Sequence, residues 1–110
     1  MSPDEEDDLQ HISEIDKLIH EPARLAIMAQ LYVVRSADFL FLLPQTGLTT
    51  GNLSRHISKL EKAGYVDVEK EFVGKKPHTI LQLTEEGRTV FREYIENMKH
   101  IMDELSSSTS

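Results

Sequence analysis

The chain has 110 residues, no cysteine and a formal net charge of −7. That length suits one domain with one modest core, and the missing thiols exclude disulfides and thiolate metal sites. No apolar run is long enough to span a bilayer and the N-terminus is acidic rather than a basic signal region, so the expectation is a cytoplasmic protein without a membrane partner.

Residues 1–8 read as an acidic flexible terminus, 9–105 as one domain and 106–110 as a flexible, serine-rich tail. Asp4, Glu5, Glu6, Asp7, Asp8, Glu14 and Asp16 place the whole net charge in the first 16 residues, and the rest of the chain carries 12 acids and 12 bases. Leu9, Ile12, Ile15, Leu18 and Ile19 recur at steps of three and four, which predicts a first helix from residue 9 or 10. Pro22 suits the first turn of a second helix running to about Val34 and burying Leu25, Ile27 or Met28, Leu31 and Tyr32. Ser36 or Ala37 opens a third helix, with Ser36 the preferred cap. Phe39, Leu42 and Leu43 fit its buried face, and Pro44 keeps it short. Leu40 and Phe41 exceed what two layers can cover unless a partner covers them too. Thr46-Gly47-Leu48 is the turn that follows.

Thr49 then caps a helix over residues 50–63 that is divided along its length. Leu53, Ile57 and Leu60 make one apolar face, while Asn52, Arg55, Lys59 and Lys62 lie opposite, flanked by Thr50, Ser54 and Ser58. A major-groove reader needs that division: Arg or Lys for guanine, Asn for adenine, hydroxyls for phosphate. Gly51 admits close backbone approach to a phosphate. Gly64 stops the helix, and Tyr65 to Phe72 and Thr79 to Leu83 predict two strands around a basic loop, Val73 to His78. Residues 49–80 hold six Lys or Arg against four acids, and screening beyond about 10 Å makes this local balance the relevant one. Thr84 caps a last helix reaching about Leu105, with Glu85 and Glu86 at its positive end.

The run Asp38-Phe39…Leu42, Gly47-Leu48-Thr49, Gly51-Asn52-Leu53-Ser54, His56, Lys59-Leu60-Glu61 and Ala63-Gly64-Tyr65-Val66 resembles the small prokaryotic winged-helix transcriptional regulators, near the ArsR and MarR groups. Glu69-Lys70, Phe72-Val73-Gly74-Lys75, Pro77 and Leu83-Thr84, Glu86-Gly87-Arg88 extend the resemblance across residues 17–95. It implies an α+β, mainly helical winged helix–turn–helix with long terminal helices forming a dimer seam. It also implies sequence-specific binding of double-stranded DNA as a homodimer, in the regulation of transcription. No enzyme is implied. No nucleophile–base pair, phosphate loop or paired carboxylates appear, and no cofactor or metal is expected.

The candidate DNA contacts are Thr49, Thr50, Gly51, Asn52, Ser54, Arg55, Ser58, Lys59 and Lys62 on the helix, with Lys75, Lys76 and His78 on the wing. The candidate dimerisation residues are Ile12, Ile15 and Ile19 with Tyr94, Ile95, Met98, Ile101, Met102 and Leu105, since the last helix extends beyond what so small a domain covers. Two alternatives stand beside this: a winged-helix adaptor without DNA affinity, suggested by Leu40 and Phe41, and a regulator sensing an unidentified small-molecule effector through Phe39, Phe41, Leu43 and Tyr94.

Overall fold

The computed structural model of this chain describes residues 17–109. Residues 17–20 are helical and lead into α1 (Pro22–Val34), β1 (Ser36–Asp38), α2 (Phe39–Thr46), α3 (Thr50–Lys62), β2 (Val66–Val73), β3 (Lys76–Leu83) and α4 (Glu85–Thr109). Glu21 caps α1 by accepting from the Arg24 amide at 3.0 Å, and Pro22 occupies the first turn, where its missing N–H has no cost. Ile27, Met28 and Leu31 are fully buried, while Leu25 and Tyr32 pack partly against them.

The start of the third expected helix is corrected. Ser36 does not cap it: Ser36–Asp38 forms a short strand pairing with Gln82–Ile80, and Asp38 caps α2 by accepting from the Leu40 amide at 2.7 Å. Ala37 thereby enters the core opposite Leu81, which a helix beginning at Ser36 would not allow. The sheet has three antiparallel strands in the order β1-β3-β2, one more than the sequence suggested. Within α2, Leu42 is buried, Phe39 and Leu43 are half-buried, and Leu40 and Phe41 remain 66% and 44% exposed. Gly47 ends α2 in the left-handed region at φ 67°.

One core joins the helices to the sheet. Leu53, Ile57 and Leu60 of α3 share one buried cluster with Ile27 and Leu31 of α1, Leu81 of β3, and Phe91 and Tyr94 of α4. Ile19 and Tyr94, both expected at a dimer seam, are buried within the chain itself, and the His20 ring hydrogen-bonds the Tyr94 hydroxyl. Their seam role is corrected accordingly: the single-chain core already covers them. Ile12 and Ile15 lie outside the described residues. Helix α4 continues past Leu105 to Thr109, since no Gly or Pro interrupts Ser106 and Ser107. No helix among the described residues is long and apolar enough to cross a membrane.

Candidate nucleic-acid interface

Helix α3 is held by its apolar stripe and its caps. The Thr49 hydroxyl accepts from the Asn52 amide at 3.2 Å, and Leu53, Ile57 and Leu60 anchor the inner face. With that face fixed, helical periodicity turns Gly51, Arg55 and Lys62 directly outward, with Asn52 and Lys59 on one flank and Thr50 and Ser54 on the other. All seven are exposed and Ser58 is half-buried. No Lys or Arg of α3 or the wing is held in an ion pair among the described residues. Gly51 has no packing reason to be glycine, because a Cβ there would meet nothing within 4 Å.

One α3 residue was not foreseen as structural. His56 lies on the apolar side and is buried, its Nδ1 3.3 Å from Arg24 Nη1 and 3.7 Å from Glu21 Oε2. Arg24 is buried as well and donates from Nε to the Leu18 carbonyl. The group ties the helical residues before α1, α1 itself and α3 into one unit. Burial pushes the His56 imidazole below its ordinary range; Glu21 opposes this, and the charges of Arg24, Arg55 and Lys59 add to it. Burial opposes ionisation of Glu21, but the Arg24 amide, His56, the Arg24 guanidinium and the Ala23 amide together hold its carboxyl below the usual range. The sequence carried a signal for His56, which stands three residues after Leu53 and four before Leu60, on the core stripe.

The wing is tighter than expected. β2 and β3 stay paired to Val73↔Lys76, leaving Gly74-Lys75 as the turn, with Gly74 at φ 66°. Lys75 and Lys76 are exposed at its tip. His78 is set apart from them, and its expected place in the loop is corrected. It stands in β3 opposite Glu71, and its ring is hydrogen-bonded to the Asp38 carboxylate. His78 donates to Asp38 and holds that carboxyl below the usual range, with help from the Leu40 amide. No group of three or more His, Asp or Glu among the described residues is arranged to hold a metal ion.

A helix–turn–helix formed by α2 and α3, followed by a hairpin wing and a long final helix, is the pattern of one known family, whose description is winged helix DNA-binding domain and whose profile matches residues 23–102. The chain belongs to that family. An uncharacterized protein of Methanocaldococcus jannaschii is 35% identical over 79 residues, covering 72% of this chain and 86% of its own length. The structure of a transcriptional regulator homologue from Pyrococcus horikoshii superposes with a TM-score of 0.80 at 30% identity, covering 90% of this chain and 97% of that one. A homodimeric winged helix–turn–helix DNA-binding domain from Mycobacterium bovis shares the fold at a TM-score of 0.69 and 16% identity, over 94% of this chain and 93% of that one. In this winged helix, α3 is the second helix of the helix–turn–helix, the one expected to read DNA, and the β2–β3 hairpin is the wing.

Proposed function

We propose that this winged-helix protein is a transcriptional regulator that binds a pseudo-palindromic duplex site as a homodimer. The observation carrying the proposal is the outer face of α3. Arg55, Lys59, Lys62 and Asn52 are exposed and outside any ion pair among the described residues, on a helix whose other side is locked into the core. Arg55 lies centrally on that face and supplies the planar fork suited to a guanine edge or a phosphate. Asn52, Thr50 and Gly51 lie at the helix N-terminus, where base edges and phosphates are met first. Lys75 and Lys76 contact backbone phosphate along the neighbouring groove and do not read sequence. Ile95, Met98, Ile101, Met102 and Leu105 of α4 form the two-fold seam.

The test is Arg55→Ala against a duplex site selected with the unaltered protein. A bidentate base contact contributes about 1–3 kcal/mol of discrimination, so specific affinity falls roughly 5- to 150-fold while the unfolding curve is unchanged. Unchanged affinity for the selected site would sink the proposal.

A further inference from the structure

We infer that the groove between the reading helix and the wing seats a backbone phosphate of the bound duplex, with Lys70 and Thr79 as its wing-side contacts. The inference rests on the DNA-binding function proposed above and adds two residues to it. The groove measures about 340 Å³. That is room for a phosphate and part of its sugar, roughly ten waters' volume. Thr50, Ser54 and Ser58 line its helix side, spaced by four so that the hydroxyls stack along one stripe. Ile57 and Val68 close its floor.

The wing side follows from strand pairing. Lys70 stands directly opposite Thr79 in the β2–β3 register, and both line the groove. Side chains alternate along β2, so Val68 and Lys70 face the helix while Asp67, Glu69 and Glu71 face away. The pleat sorts a strand of mixed charge into a cationic inner face and an acidic outer one. Lys70 is exposed, and no ion pair holds it among the described residues. The positive end of α3 lies at Thr50, at the mouth of the same groove.

Glu61 also lines the groove and opposes an anion. It stands eleven positions after Thr50 and seven after Ser54, about 16 and 10 Å along the helix, at or beyond a Debye length of about 10 Å at 0.1 M salt. A phosphate seated at the Thr50–Ser54 end therefore meets the hydroxyls, Lys70 and the helix dipole, with Glu61 at the far end of the groove and partly screened. Phosphate contacts of this kind fix the docking of the duplex and carry no sequence information.

The experiment is fluorescence anisotropy of a random-sequence duplex over a salt series, using the full chain and its Lys70→Gln, Lys70→Arg and Thr79→Val variants. Lys70→Gln is expected to weaken binding about tenfold and to lower the slope of log affinity against log salt by about one per bound chain. Lys70→Arg keeps the slope. Thr79→Val keeps the slope as well, but weakens binding roughly fivefold, because it removes a neutral donor of nearly the same shape. Tight, salt-steep binding by the unaltered chain with the same slope in Lys70→Gln overturns the groove site and leaves the DNA-binding function standing. No binding by the unaltered chain at low salt overturns both.

Discussion

Arg24 is a buried cation whose guanidinium meets the Leu18 carbonyl and the His56 ring, beside the Glu21 carboxylate. An unpaired charge there would cost several kcal/mol, so the arrangement holds only while each partner presents the right atom. His56 must be neutral to accept from Arg24 at Nδ1. Its folded-state pKa lies below the ordinary value, so the folded chain binds fewer protons than the unfolded one. The associated stability is complete above the ordinary histidine range and is lost as pH falls through about 6.5 and below. Urea unfolding at pH 7.5 and pH 5.5 should show a loss of stability on acidification that is smaller in His56→Gln, whose amide oxygen still accepts but does not titrate. Equal losses in the two proteins would mean that His56 does not couple protonation to folding. Nothing in the local sequence around Arg24 announced this cluster, because its partner lies 32 residues away on another helix.

At the scale of elements, the joint between the sheet and α4 rests on three hydrogen bonds and a close backbone approach at Gly87. The Thr84 hydroxyl donates to the Gly64 carbonyl at 2.7 Å and accepts from the Gly87 amide at 2.9 Å, while the Thr84 amide donates to the Tyr65 carbonyl at 3.0 Å. A Cβ on Gly87 would stand 2.1 Å from that same Tyr65 oxygen. The obstacle is backbone and cannot rotate aside. Gly87→Ala is therefore expected to cost about 3 kcal/mol, and the unfolding temperature should fall by roughly 13 °C. An unfolding temperature within about 2 °C of the parent would show that α4 shifts freely against the sheet. The cap at Thr84 was legible because a Thr followed by two acids is a local signal, and so was α3, whose cap, apolar stripe and terminal glycine agree. Strand β1 was not legible: three residues with one apolar side chain give no period, and its existence depends on the edge that β3 offers. The wing's position was readable from Gly74 and its lysines. Alternation along β2 sets Lys70 apart from the acids, and the register that brings Lys70 opposite Thr79 is fixed only in the folded hairpin. His78 was misplaced for the same reason, since Asp38, its partner, is 40 residues away.

At the scale of the molecule, a chain of net charge −7 reads as a poor ligand for a polyanion until the charge is located. The surplus acid is confined to residues 1–16, whereas the outer face of α3 and the inner face of the wing are basic. A single copy offers one such helix, which is a short footprint for a specific site, and the proposed homodimer would add a second copy through α4. Phe91 begins an apolar line within the core, and Ile95, Met98, Met102 and Leu105 continue it at steps of three and four, the spacing of a helical seam. Ile95 is 46% exposed, Met102 64% and Leu105 61%, so among the described residues the line leaves the core and runs on largely exposed. Paired across a two-fold axis, these helices would bury one another and set two reading helices about 34 Å apart, one turn of duplex. Replacing Met102 and Leu105 together by Glu puts like charges at the axis and leaves the single-chain core untouched. Sedimentation equilibrium should then give two chains per particle for the parent and one for the variant. The variant should lose affinity for a two-half-site duplex while keeping the salt-dependent binding of random DNA, because each copy retains its phosphate contacts. A parent that sediments as one chain would end the seam proposal and turn the exposed line on α4 into a surface for a different partner.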